Sequence, residues 1–212
     1  MIKVENVTKD FDNRELFTNL NLNFEKGKVY ALIGPSGSGK TTLLNMIGHL
    51  EKITSGDVIY NGKSLKSISA HRYFRNELGY LFQNFGLLEA QSIKDNLDLG
   101  LVGQKVKKQE RIERQKLALK QVNLSYLDLN QKIFELSGGE AQRVAVAKVI
   151  LKNPPLILAD EPTAALDPKN GQELMDLLLS LKNENRTIII ATHNQMIWES
   201  ADEVIDLRNY RN

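Results

Sequence analysis

The chain has no cysteine, which excludes a disulfide scaffold and thiolate catalysis and fits a reducing compartment. It has three histidines, His49, His71 and His193, and they show no metal-ligand spacing. The net charge is only +2, so no polyelectrolyte signal points to nucleic acid. The longest apolar runs are strand-sized, far short of the ~20 residues that span a bilayer. The opening MIKVENVTKDF carries no apolar signal segment. Together these absences predict a cytoplasmic protein whose membrane role, if it has one, comes through a partner. What is present is ordinary for a folded chain: 212 residues, 42% hydrophobic and 25% charged. That suffices for one large domain or two small ones with a sizeable core.

Along the chain, IKVENVTKDF and LFTNLNLNF alternate as strands, the second with Leu20, Leu22 and Phe24 on one face. KVYALIG reads as a buried strand running into a glycine-rich loop, and TTLLNMIGHL has helical spacing. SGDVIYNGKSL predicts a strand ending in a turn at Asn61-Gly62, and LGYLFQ a short strand. From Ser92 to about Asn153 the texture is helical. SIKDNLDLGL opens with a Ser-x-x-Asp cap, KKQERIERQKLALKQVNL is amphipathic with a charged outer face, and GEAQRVAVAKVILKN ends before Pro154-Pro155. Strands and helices then alternate again through PLILAD, GQELMDLLLSLKNE, RTIIIAT, NQMIWESA and DEVIDL. The expectation is an α/β fold: a parallel core, an antiparallel stretch before it and a helical insert within it. The pattern shows no repeat, low-complexity tract or flexible linker, and the chain stops soon after its last strand, leaving no room for an added regulatory domain.

Two motifs carry chemistry. Gly34-Pro35-Ser36-Gly37-Ser38-Gly39-Lys40-Thr41 matches G-x-x-x-x-G-K-[ST] between a predicted strand and a predicted helix, and Thr42 follows. Glycines let the backbone curl so that successive N–H groups face phosphates. Lys40 places a positive charge near the β- and γ-phosphates, and Thr41 offers a hydroxyl to Mg²⁺. In PLILADEPT, Asp160 stands at the C-terminal end of a buried strand, where open α/β sheets bind ligands. It can hold Mg²⁺ directly or through water, and Glu161 can polarise an attacking water. A surface acid pair opening a helix is the plainer reading, and the glycine-rich loop weighs against it. His193, after TIIIAT, is either structural, a γ-phosphate contact or an orienter of Glu161. Gln83 is a polar loop residue or a contact to Mg²⁺ and the water. Phe11 is a core aromatic or an adenine-stacking one. LSGGEAQR, at 136–143, poses a further question: Ser137 and Glu140 form a capping-box pattern, but a cap does not call for Gly138 and Gly139, each unfavourable in a helix. Bare N–H groups at that helix start suit an anion.

The order GPSGSGKTT, Gln83, LSGGE, LILADE, AALD and His193 resembles the nucleotide-binding subunit of an ABC transporter over essentially the whole chain. The resemblance implies a P-loop NTPase with a RecA-like parallel core, an antiparallel β subdomain and a helical subdomain at roughly 85–153, all within one ABC ATPase domain of residues 1–212. It implies that Phe11 stacks on adenine, Gln83 is the Q-loop glutamine, Asp167 the D-loop acid and His193 the switch histidine, with ATP and Mg²⁺ as ligands. It also answers the LSGGE question: Ser137, Gly138 and Gly139 of a second copy close over the γ-phosphate in a head-to-tail homodimer holding two ATP molecules. Beyond the dimer, the resemblance implies an integral membrane permease as partner, with a periplasmic-adaptor-like or extracellular accessory protein, no nucleic acid, and a place on the inner face of the cell membrane. NFGLLEAQSIKDNL, with Phe85, Leu87 and Leu88, reads either as core of the helical insert or as the groove for the permease's coupling helix.

LGYLFQNFGLLEAQSIKDNL and LADEPTAALD are similar to the MacB/LolD/FtsE branch, and most like the lactococcin-type bacteriocin-export group. The implied function is ATP hydrolysis powering an exporter or a MacB-like efflux or extraction system for a bacteriocin, peptide or antimicrobial. The alternative is an FtsE-like force-transmitting ATPase without cargo. A soluble ABC ATPase acting on ribosomes or DNA would resemble tandem cassettes or carry coiled-coil or zinc-bearing inserts, which this chain does not have. Two departures stand out: Glu140 where many relatives have Gln, and Ala164-Ala165 where Gly or Ser often stands. Neither touches Lys40, Asp160, Glu161 or His193.

Overall fold

The computed structural model describes residues 1–11, 14–164 and 166–210. In chain order its main elements are β1 (Ile2–Phe11), β2 (Arg14–Phe24), β3 (Val29–Ile33), α1 (Lys40–Ile47), β4 (Ser55–Tyr60), β5 (Lys63–Ser64), α2 (Ala70–Asn76) and β6 (Leu78–Leu81). There follow α3 (Ile93–Asp98), α4 (Lys108–Gln121), α5 (Gly138–Lys152), β7 (Leu156–Asp160), α6 (Pro168–Ser180), β8 (Thr187–Ala191), α7 (Gln195–Glu199) and β9 (Glu203–Asp206). The chain divides into two compact units. The first holds Met1–Leu78, Pro155–Glu161 and the stretch from Lys182; the second holds Gly79–Pro154 and Pro162–Leu181.

The first unit contains two sheets. One is antiparallel, in the order β2-β1-β4-β5. Its β1–β2 hairpin runs from Ile2 opposite Phe24 to Phe11 opposite Arg14. Leu20, Leu22 and Phe24 of β2 and Ile2 and Val4 of β1 are buried as the alternation requires, and a register shift between Val4 and Val7, with Asn6 at φ 49°, lets Val7 be buried too. The Asn61-Gly62 turn joins β4 to β5 with both residues at positive φ, the conformation this dipeptide accepts at little cost. In the second sheet the strands β7-β8-β3-β9 are parallel neighbours in that order. Every residue of β7 and of β8 is buried, which is why these stretches read as unbroken apolar runs. Each buried Leu or Ile side chain there contributes ~1.5–3 kcal/mol of transfer free energy. The C-terminal ends of β3, β7 and β8 lead directly into Gly34, Glu161 and Thr192, so one sheet edge gathers three loop starts.

The second unit is helical apart from the end of β6. Ser92 and Asp95 form the capping box that starts α3. Helix α4 buries Gln115, Ala118 and Leu119 and turns its charged face outward. Helix α5 buries a run of small residues from Ala141 to Ala147 and ends at Asn153 in the left-handed region (φ 52°), ahead of Pro154. Asp167 caps α6 with Pro168 in its first turn. One helix escaped the sequence reading: α2 has seven residues and buries only Tyr73, too short a span for a 3.6-residue period to show. Among the described residues no helix is long and apolar enough to cross a membrane.

Candidate functional site

In the first unit the glycine-rich loop joins β3 to α1. Gly37 has φ 72°, a conformation that favours glycine, and among the described residues a Cβ there would meet nothing within 4 Å. Gly39 has φ 96°, and a Cβ there would lie 2.5 Å from the Phe17 ring, so only glycine closes the loop onto α1. Pro35 and Ser36 are exposed and Thr42 is half-buried. Ser38 is 1% exposed, yet its hydroxyl has no hydrogen-bond partner among the described residues. Such an orphan is costly unless a ligand completes it. Helix α1 starts at Lys40 with no side-chain cap, leaving its N-terminal partial charge available to an anion. The Lys40 ammonium donates to the Gly34 carbonyl at 2.9 Å and lies 3.7 Å from a Glu161 carboxylate oxygen.

The acidic end of β7 meets this loop within the same unit. Thr41 Oγ1 donates to Asp160 Oδ1 at 3.1 Å. Asp160 is 4% exposed, and burial raises its carboxyl above the usual range, partly offset by the Thr41 hydrogen bond. A cation would remove that penalty, and a hydroxyl beside a carboxylate is a hard oxygen donor set suited to Mg²⁺. Among the described residues no cluster of three or more His, Asp or Glu could hold a metal unaided. That fits an ion that completes its shell with phosphate oxygens and water. Glu161 sits at φ 45°, strain a non-glycine residue tolerates only where its surroundings hold it. Its other oxygen lies 2.8 Å from His193 Nδ1, and the His193 side chain is otherwise largely exposed. The orienter reading of His193 therefore has a direct contact behind it. Sequence spacing gave no sign of the Glu161 backbone strain.

Phe11 is 45% exposed and so is not a core residue. It faces Arg14 across the hairpin, and Arg14 Nη2 reaches the Gly37 carbonyl at 3.5 Å. Arg14, at the start of β2, thus lies beside the glycine-rich loop. Lys9 Nζ sits 4.2 Å from the Phe11 ring centroid, a contact the sequence reading missed.

Five of the other expected positions, Ser137, Gly138, Gly139, Glu140 and Asp167, meet in the second unit. A hollow of about 320 Å³ is lined by the start of α5 and by Tyr126, Leu166, Asp167 and Asn170. Ser137 and Glu140 form a reciprocal capping box, and Tyr126 donates to the second Glu140 oxygen at 2.8 Å. Hydrogen bonds from Ser137 hold the Glu140 carboxyl below its usual range. The acid that departs from the commoner Gln therefore has a local job. Arg143 bonds to Asn170 and to Glu173 at 2.9 Å, tying α5 to α6. Among the described residues, a Cβ on Gly138 would meet nothing within 4 Å, and one on Gly139 would meet Leu166 at 3.5 Å, an ordinary contact distance. None of the described residues crowds either Cβ position. Asp167 accepts from Asn170 N–H at 3.1 Å. Gln83 is exposed in the segment after β6, Phe85 and Leu87 are half-buried, and Leu88 is 52% exposed. Ala165, one of the two departures, lies outside the described residues.

A glycine-rich loop between strand and helix, its lysine, and an acid at the end of β7, one strand removed from β3 in the same sheet, define a P-loop nucleotide-binding protein. Residues 17–164 match the family model described as ABC transporter. The chain is 37% identical over 220 residues to an uncharacterised ABC transporter ATP-binding protein, MJ0796, of Methanocaldococcus jannaschii, covering 99% of this chain and 94% of that one. It is 38% identical over 212 residues to the macrolide export ATP-binding/permease protein MacB of Campylobacter jejuni, covering 99% of this chain and about a third (33%) of MacB. Its fold matches the dimeric post-hydrolysis structure of the MJ0796 cassette bound to ADP and Pi, with TM-score 0.89 and 35% identity over 97% of this chain and 94% of that one. The chain belongs to the ABC transporter family, on the branch that includes MJ0796 and MacB, as its ATP-binding and ATP-hydrolysing subunit. The parallel core, antiparallel sheet and helical unit are those the resemblance implied.

Proposed function

We propose that the loop from Gly34 to Thr42 cradles the phosphates of ATP, with Lys40 against the β- and γ-phosphates. The observation that carries this reading is the convergence, within one unit, of Lys40, the Thr41–Asp160 pair and the His193–Glu161 pair. Thr41 and Asp160 would hold Mg²⁺, which when bound neutralises developing phosphate charge. Lys40 leaves its resting bond to the Gly34 carbonyl to meet the phosphates. Glu161 orients and deprotonates the attacking water, and His193 holds the Glu161 carboxylate in register through Nδ1. A positioned base of this kind is worth ~10²–10⁴ in rate.

Ser137, Gly138 and Gly139 of a second copy close over the γ-phosphate, and Asp167 stands beside them. Two consecutive glycines whose Cβ positions none of the described residues crowds support this, as does the dimeric structure of the MJ0796 cassette. Closure gains free energy only while the γ-phosphate is present, so hydrolysis reopens the dimer. A membrane permease, docked near Phe85–Leu88, converts that cycle into transport at the inner face of the cell membrane. The MacB relatives carry a permease in the same chain, which favours an exporter over a cargo-free force transmitter; within exporters the lactococcin-type bacteriocin group rests on the sequence resemblance alone.

The test is a Mg·ATP titration of wild type and Lys40→Ala, with co-purification of membrane proteins from the native host. Binding is lost or greatly weakened in the variant, and the wild type brings down a permease. Unchanged affinity in Lys40→Ala contradicts the cradle assignment, and recovery of ribosomes or DNA in place of a permease contradicts the transporter assignment.

A further inference from the structure

The hairpin that presents Phe11 also places a cation against it. Lys9 lies on β1 two residues before Phe11, close to the strand repeat that puts alternate side chains on one face. Although charged, Lys9 is only 7% exposed. Its ammonium has three donors and three destinations: Glu51 Oε1 at 2.7 Å, the Lys52 carbonyl at 2.9 Å, and the Phe11 ring, whose centroid is 4.2 Å away. A buried charge is tolerated when it is paired this fully, and the pairing leaves it little freedom to move. The ring beside it is therefore held as well, with one face against the cation while the residue keeps 45% of its surface exposed. The hairpin register puts Phe11 opposite Arg14, which reaches the Gly37 carbonyl of the phosphate loop. The ring is thus fixed at the rim of the nucleotide site.

We infer that Lys9 is a positioning residue for base recognition: held by Glu51 and the Lys52 carbonyl, it locks the Phe11 ring in a stacking pose and leaves the opposite face for the nucleobase. The inference rests on the reading of Phe11 as the base-stacking residue. A cation behind the ring draws π density toward itself, which favours an electron-rich purine on the other face. A pre-set ring spares the cost of immobilising a side chain when the nucleotide binds, an effect of roughly two- to tenfold in affinity. The plainer role for Lys9 is to tie the β1–β2 hairpin to the segment after α1. That role has no dependence on a base.

The experiment compares Mg·ATP with Mg·tripolyphosphate, a probe with the phosphates and no base, in calorimetric titrations of the full chain. Phe11→Ala weakens ATP by roughly 5- to 150-fold, the range for loss of one base–aromatic stack, and leaves tripolyphosphate unchanged. Lys9→Met weakens ATP by about two- to tenfold, also with tripolyphosphate unchanged, and Lys9→Arg recovers at least half of the loss. If Phe11→Ala has its effect and Lys9→Met binds ATP like wild type, the inference about Lys9 fails while the reading of Phe11 stands. If Phe11→Ala binds ATP like wild type, the stacking reading itself fails. If Lys9→Met weakens both probes equally, Lys9 serves the loop's structure alone and the inference is overturned. Tripolyphosphate binding also reports that each variant is folded.

Discussion

Gly138→Leu separates the needs of one chain from the needs of two. Gly138 opens α5, is exposed, does not have positive φ, and a Cβ there would meet nothing within 4 Å among the described residues. An exposed position with an open Cβ direction is expected to accept a leucine in the single chain. Glycine is ~1 kcal/mol less favourable than alanine in a helix interior and leucine is close to alanine. At a first helical position the gain is smaller, so the monomer should be unchanged or up to about 1 kcal/mol more stable, at most ~2–4 °C in Tm. The dimer should behave in the opposite way. A leucine pushed into a close interface costs ~1–3 kcal/mol. A head-to-tail homodimer contains two such sites, hence ~2–6 kcal/mol, or roughly 30-fold to 10⁴-fold in the association constant. The assay is sedimentation in Mg·ATP of Gly138→Leu combined with Glu161→Gln, beside a thermal melt of each chain without nucleotide. The expected result is an intact melt and a lost dimer. If the melt is intact, the dimer unchanged and ATPase activity full in Gly138→Leu alone, the proposal that a second copy closes over the γ-phosphate is wrong.

Three further outcomes follow from the geometry. Glu161→Gln should keep ATP affinity, lower hydrolysis by ~10²–10⁴ and leave an ATP dimer visible by size exclusion; a normal turnover rate removes Glu161 as the base. His193→Ala takes away the 2.8 Å partner of Glu161 and should lower kcat by about 10- to 100-fold with little change in KM; a KM effect alone would make His193 a binding contact instead. Lys148 donates to the Gly86 carbonyl at 2.6 Å, and burial lowers its pKa to about 8. The unfolded chain then holds more protons than the folded one between about pH 8 and the ordinary lysine value, so stability rises with pH across that window, by up to about 3 kcal/mol. Urea melts of wild type and Lys148→Met from pH 7 to 10 should show that extra rise in wild type alone, and parallel curves would refute it.

Much of the molecule was legible from local pattern. The all-buried strands β7 and β8 appear as apolar runs because a parallel sheet is covered on both faces. The loop at 34–41 could be read because phosphate binding demands glycine at several fixed positions and a lysine next to them. The capping boxes at Ser92 and Ser137 were visible because a cap is a four-residue interaction. Short or non-local features were not. Helix α2 is under two turns and carries one buried side chain, so it leaves no periodic trace. The Lys9–Phe11–Glu51 contact joins residues 42 positions apart in sequence, and nothing near Lys9 marks it as buried.

Residue order alone determined the class of protein: the glycine-rich loop with its lysine, and the Asp160-Glu161 pair after an apolar strand, are each set by side-chain type at short fixed spacing, and the backbone conformations they need are local. Only the tertiary structure decided how those groups are used together. That His193 holds Glu161 and that Thr41 bonds to Asp160 depend on strands β7, β8 and β3 lying side by side, and that Asp167 stands near Gly138 depends on helices α5 and α6 meeting through Arg143. These contacts bring together residues far apart in the chain. Their free energy arises from burial and pairing, which exist only once the chain has folded.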